Sequence, residues 1–157
     1  GGMRDPGRPL KAVIPGGSSV PVLTAAEAMD SNLDYESLAA HGSMLGSAGM
    51  IVMDDSTDMV YQIWRLARFY AHESCAQCTQ CREGTAWTTK ILERILAGKG
   101  KASDLDLLLS LSENMTGKTI CVLSDSCAAP IVSGIAKFRS EFDAYLSGAR
   151  QPALAMA

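Results

Sequence analysis

Three of the five cysteines crowd into one run, Cys75, Cys78 and Cys81 within ESCAQCTQCREGT, and a fourth, Cys121, sits downstream in KTICVLSDS. The first three follow a C-x2-C-x2-C spacing, and 39 residues separate Cys81 from Cys121. Three thiolates so spaced can wrap a small inorganic core from one side while a distant loop closes the other. A 4Fe–4S cube takes one Cys thiolate per iron, so Cys75, Cys78, Cys81 and Cys121 make a full ligand set. The short spacing lets the backbone curl and point N–H groups at sulfur, which offsets the negative charge of the thiolates. A helix expected to start just after Cys81 adds its positive N-terminal dipole to the same place. Groups held this way store and pass electrons, so the first expectation is electron transfer.

Bland readings compete with this one. Structural zinc usually takes two separated C-x2-C pairs or a Cys/His mixture around a tetrahedron. Here the knuckle has three evenly spaced thiols and the fourth stands alone, which favours a cluster; zinc and unrelated free thiols remain as alternatives. The ferredoxin run C-x2-C-x2-C-x3-C-P is not met, because no Cys follows Cys81 at that distance and no Pro follows Cys121. Cys127 reads as a small residue near the first turn of a helix, with ligation as its alternative. His72 lies close enough to Cys75 to tune the site by a hydrogen bond, although a helix-end surface histidine accounts for it. Asp54, Asp55 and Asp58 suit a strand stop and a helix N-terminus as well as a divalent ion. Met44, Met50, Met53 and Met59 read as core fill, and Trp64 and Trp87 as packing. No Ser/His/Asp or Cys/His pairing supports nucleophilic catalysis.

Composition narrows the field. The chain has 157 residues, 47% hydrophobic and 20% charged, with net charge −3. That is globular, and long enough to bury a core without disulfide staples. Without a basic stripe, nucleic-acid binding is not expected. The longest apolar run, Gly49 to Met53, falls far short of the ~18–20 residues of a membrane helix. An odd cysteine count in ligand-like spacing favours a reducing compartment and metal binding over a disulfide framework. The Gly1-Gly2-Met3 opening carries no charged or apolar signal region, and a truncated amino end is expected.

The elements that must position the cysteines follow from periodicity. Leu10 to Ile14 predicts a strand ended by Pro15-Gly16-Gly17, residues 18–23 an extended stretch, and Asp34 the N-cap of a short helix to Ala40. Met50 to Met53 predicts a second strand. The second half predicts helices. One runs from a Ser56-Thr57-Asp58 cap to His72, with Met59, Ile63, Leu66, Ala67 and Tyr70 on one face. The next carries Trp87, Ile91, Leu92 and Ile95 up to Gly98. A third follows Ser103, with Leu105, Leu108, Leu109 and Ser112 inward. A fourth starts at Asp125 or Ser126, with Pro130 in its first turn and a stripe of Ile131, Ile135, Phe138, Phe142 and Tyr145. The expected architecture is α+β: a small module at 1–56, a four-helix bundle at 57–147 and a flexible tail at 148–157.

Ser74-Cys75-x-x-Cys78-x-x-Cys81-Arg82-Glu83-Gly84-Thr85 followed by Thr119-Ile120-Cys121 resembles the NADH-binding flavoprotein (F) subunits of NADH:quinone oxidoreductase, respiratory complex I. LKAVIPGGSSVPVL, DYESLAAHGSMLGS and MIVMDDSTDMV resemble their SLBB region, a β-grasp-like module, and PIVSGIAKFRSEF their closing helix; the likeness covers residues 1–147. The resemblance implies a partial SLBB module followed by a bundle holding a 4Fe–4S cluster on Cys75, Cys78, Cys81 and Cys121. Cys127 falls where the family typically has a small residue. Gln80 replaces a common Pro and Ala76 a common Gly, both expected to be tolerated. FMN and NAD would bind in an amino-terminal domain that this stretch lacks, so it should be inactive alone. The implied role is to relay single electrons from FMN toward quinone beside other peripheral-arm subunits, iron–sulfur subunits among them. No direct membrane insertion is implied. The implied location is cytoplasmic in bacteria, peripheral to the inner membrane through partners, or on the mitochondrial matrix side in eukaryotes. Alternatives are the diaphorase subunit of an NAD-linked hydrogenase or formate dehydrogenase, and a zinc-stabilised interaction module.

Overall fold

The computed structural model describes Met3 and residues 5–153. After Asp58 the chain divides into two compact units, one bearing a small sheet and the other helical.

In the first unit, β1 (Leu10–Ile14) is the inner strand of a three-stranded antiparallel sheet of order β2-β1-β3. Its neighbours are β2 (Leu23–Thr24) and β3 (Ile51–Asp54). Val13 pairs with Leu23 on one side and Val52 on the other. β1 sits inside because Ala12, Val13 and Ile14 are all buried, leaving the more exposed strands at the edges. Between Leu10 and Ala12 it gains one residue on β3, a bulge that bends the strand. A helix that the periodicity did not suggest, α1 (Ala25–Asp30), follows β2. Its signal is local: Thr24 Oγ1 accepts from Glu27 N while the Glu27 carboxylate accepts from Thr24 N, a capping box. The expected short helix, α2 (Tyr35–Ala40), starts where Asp34 Oδ1 accepts from Ser37 N at 2.7 Å. The loop after β1 and the loop before β3 touch through backbone, and a Cβ at Gly16 would overlap Leu45 O. Only glycine fits there.

The second unit holds α3 (Met59–Glu73), α4 (Thr79–Leu96), α5 (Asp104–Met115), α6 (Leu123–Lys137) and α7 (Arg139–Leu146). α3 lies against α4 and α6, and α5 closes on the same two helices. Ile63, Tyr70, Leu92, Ile95, Leu108, Ile131 and Phe142 form one continuous core; burying each such side chain is worth ~1.5–3 kcal/mol. At the start of α3, the backbone N–H of Met59 donates to Glu141 Oε2 on α7 at 3.2 Å, so an orphan donor of one helix is satisfied by another.

Several expectations change. α4 begins at Thr79, before Cys81 rather than after it, so Cys81 lies in its first turn. The single closing helix breaks at Phe138 (φ −123°, ψ 31°) into α6 and α7, yet the whole stripe from Ile131 to Tyr145 stays buried. α6 starts at Leu123, which puts Pro130 in the helix interior and removes one i→i−4 bond there. The Ser103 side chain makes no capping bond. Instead Asp104 Oδ2 accepts from Lys101 N at 2.8 Å and Arg94 Nε at 3.1 Å, tying α4 to the start of α5. Trp64 is buried, but Trp87 is 50% exposed, so its side chain is not a core element. Part of the expected tail is tied down: Arg150 N donates to Ala144 O and Ala153 N to Leu96 O, while the rest of it lies outside the described residues.

α3 and α6 approach closely at Gly134, where a Cβ would overlap Ile63 Cδ1. Gly134→Ala is expected to cost about 1–3 kcal/mol by overpacking. Adding Ile63→Val, which deletes that methyl, should recover part of the loss in a urea-denaturation double-mutant cycle. Gly134→Ala unfolding at the parent's midpoint would refute this helix spacing.

Candidate metal centre

The knuckle spans the junction from α3 to α4. α3 stops at Glu73, and the chain turns through Ala76, whose φ of +64° lies in the left-handed region that favours glycine. Arg82 Nη1 clamps this turn by donating to Ala76 O at 2.8 Å. Cys78 is the N-cap of α4, extended at φ −88°, ψ 129°, and its side chain makes no capping bond. Arg82 N donates to Cys78 O at 2.9 Å and closes the first turn. Within that turn Cys81 is only 6% exposed, and its carbonyl accepts from Thr85 Oγ1 at 2.7 Å. Cys78 is half-buried, whereas Cys75 is exposed.

Cys121, also exposed, lies on the connection from α5 to α6. Hydroxyl and carboxylate groups hold that connection from both sides. Gly117 N donates to Asp125 Oδ1 at 2.8 Å, and Thr119 Oγ1 donates to Cys121 O at 2.8 Å. Ser124 Oγ reaches Met115 O at 3.2 Å and Thr119 Oγ1 at 2.6 Å. Gly84 on α4 gives Met115 of α5 its space, because a Cβ there would lie 2.5 Å from Met115 Sδ. The result is a direct meeting of loop and knuckle: Ile120 N donates to Cys78 Sγ at 3.4 Å. That donor is the kind of backbone group that offsets charge on a bound thiolate.

The four cysteines predicted from spacing therefore lie on two segments that touch. Among the described residues, no three His, Cys, Asp or Glu side chains gather closely enough to hold a single ion. A cube does not require such convergence, since each of its four irons takes its own thiolate. An all-thiol donor set, one buried sulfur and a backbone N–H on another fit an iron–sulfur group.

Other candidates resolve differently. Cys127 is fully buried in the core of α6. Burial first, and the nearby charge of Cys81 second, push its thiol up to about 12. His72 is exposed and its Nδ1 pairs with Glu73 Oε1 at 2.9 Å; among the described residues it makes no hydrogen bond to a cysteine. Arg82 stays near the knuckle, but its charge is paired with Glu83 at 3.0 Å. Asp54 acts as a turn cap, accepting from Ser56 N and Ser56 Oγ, and those bonds hold its carboxyl below the usual range. Sequence reasoning missed the Ser74 hydroxyl, 3.2 Å from Cys81 Sγ, and the Thr119–Ser124–Asp125 brace. The signals available were a Ser directly before the first Cys and a T-x-C-x-x-S run.

Fold and cysteine pattern together define an iron–sulfur-binding module. The chain belongs to the NADH-ubiquinone oxidoreductase-F iron-sulfur binding region family, whose sequence model matches residues 61–145. It is 49% identical over 143 residues to the NADH-quinone oxidoreductase F subunit of Rickettsia bellii (strain OSU 85-389), covering 91% of this chain and 34% of that one. An NADH-quinone oxidoreductase F subunit of Rhizobium meliloti (strain 1021) is 48% identical over 143 residues, 91% of this chain and 33% of its own. The chain thus spans about a third of the length of the curated relatives it matches. Among solved structures, NAD+-reducing nickel–iron hydrogenase in its H2-reduced state is similar with a TM-score of 0.73 and 34% identity, over 87% of this chain and 23% of that one. The air-oxidised state gives 0.74 and 32%, over 94% and 24%.

The strained turn offers a direct check. An L-residue in the left-handed region costs ~1–2 kcal/mol, partly offset by the extra freedom glycine has when unfolded. Ala76→Gly should therefore stabilise the protein by about 0.5–1 kcal/mol in chemical denaturation. Destabilisation by that variant would mean that Ala76 does not hold this φ.

Proposed function

We propose that this chain is the carboxy-terminal part of an F-type oxidoreductase subunit and holds one 4Fe–4S cluster on Cys75, Cys78, Cys81 and Cys121. The observation that carries the reading is the Ile120 N–H on Cys78 Sγ, which brings the fourth cysteine's loop onto the knuckle. When bound, such a group accepts and releases one electron at a time. The protein's own residues do the rest. Cys81 supplies a sulfur shielded from water, Ile120 offsets charge at Cys78, and the braced 117–125 connection holds the Cys121 loop against the knuckle. Exposed Cys75 and Cys121 leave one edge of the site at the protein surface, open to a redox partner.

On this reading the helical unit is a four-helix bundle with α6 and α7 as its broken closing helix, and the sheet unit is a partial SLBB module. The complete protein would bind FMN and NAD in a domain outside this stretch and pass electrons from NADH toward quinone. It would work beside other peripheral iron–sulfur subunits that hold it at the membrane. No helix among the described residues is long and apolar enough to cross a membrane, which suits that arrangement. A second reading is a component of an NAD-linked hydrogenase, favoured by the likeness to NAD+-reducing hydrogenase.

Anaerobic purification with iron and sulfide determination tests the cofactor; a colourless protein with about one zinc per chain would reject it. Cys78→Ser is expected to abolish the broad visible absorbance and the low-temperature EPR signal of the reduced protein. Cys127→Ala should leave both nearly unchanged, because that sulfur lies inside the hydrophobic core. Retention in the first variant, or loss in the second, would overturn the ligand set.

A further inference from the structure

Ser74 Oγ lies 3.2 Å from Cys81 Sγ and receives the N–H of Ala76 at 3.4 Å. With that N–H donated to its oxygen, the hydroxyl hydrogen remains for the sulfur. A metal-bound thiolate carries no proton and can only accept. We propose that Ser74 is a positioning residue of the cluster site, donating a hydrogen bond to Cys81 Sγ and thereby raising the reduction potential of the group that Cys81 ligates. This inference rests on the reading of Cys81 as a ligand.

Three observations converge on Ser74. Cys81 is the buried member of the proposed quartet, so water does not readily replace a lost protein donor there, and a hydrogen bond in a dry site is electrostatically stronger than one in water. The turn that supplies the second bond is held at a cost: Ala76 sits at φ +64°, and Arg82 Nη1 holds its carbonyl at 2.8 Å. An observed backbone outlier that aims a donor at one side chain points to a role for that side chain. Cys78 already has Ile120 N–H, so Ser74 gives the buried sulfur what the backbone gives its neighbour.

The energetic sense follows from charge. Uptake of one electron makes the ligand sulfurs more negative, so a donor on Cys81 stabilises the reduced state more than the oxidised one. No covalent bond forms or breaks, and the proton stays on the Ser74 oxygen. Hydrogen bonds to sulfur are among the factors that set such potentials.

The experiment uses the full chain, reconstituted anaerobically with iron and sulfide and titrated with dithionite while EPR is recorded. Ser74→Ala is expected to lower the reduction equilibrium constant about tenfold, which is ~59 mV for a one-electron couple. Ser74→Thr keeps the hydroxyl and should stay at the parent potential. ENDOR of the reduced parent should show a coupled proton that vanishes in D2O and is missing from Ser74→Ala. A Ser74→Ala potential equal to the parent's overturns the proposal; so does a parent spectrum without that proton, which decides the matter should Ser74→Ala fail to load. A purely structural serine would change the unfolding midpoint and leave potential and proton coupling alone. Cys81→Ala separates the two layers. Loss of the cluster signals upholds the ligand reading, while their retention rejects it whatever Ser74 does.

Discussion

A single N–H, that of Ile120, reaches Cys78 Sγ across 42 positions of sequence, and the candidate site exists only because those two segments meet. The bond itself is weak. A hydrogen bond contributes roughly 0.5–1.5 kcal/mol net, far less than the apolar surface buried between the helices. The core therefore decides where the loop goes, and the N–H only sets its final register. α5 lies against α4, Met115 fills the space beside Gly84, and Ser124 fastens the far side of the loop to Met115 O. Cys121 is carried to the knuckle by packing in which it takes no part.

The same residue type has several fates here, and environment alone separates them. Cys75 and Cys121 stand in solvent, Cys78 is half-buried as a helix N-cap, Cys81 is tucked into the first turn of α4, and Cys127 lies in the core. Thiolates are the metal ligands, and burial in apolar surroundings disfavours them. Cys127, held protonated by its desolvation, behaves as a small hydrophobic residue beside the site. Cys81 is buried as well, but it has a hydroxyl beside it, Ser74 Oγ at 3.2 Å.

Likeness to both the F subunits of NADH-quinone oxidoreductases and an NAD+-reducing hydrogenase fits a module that serves more than one enzyme. The helical unit has its own continuous core.

Much of this was legible in the residues themselves. The knuckle follows from cysteine spacing, and the inward stripes of the long helices and strand β1 from periodicity, because helical and strand periodicities are local properties of the chain; the T-x-C loop came from the family resemblance. α1 was local too, written in the Thr24–Glu27 capping box, and could have been read. The rest depended on distant partners. The break at Phe138, the exposure of Trp87, the depth of Cys127 and the Ser74–Cys81 contact arise from how helices cross. Side chains three or four positions apart carry no record of that crossing. Sequence alone determined which atoms were available for the chemistry. Tertiary packing decided which of them meet, because burying the core brings together segments dozens of residues apart.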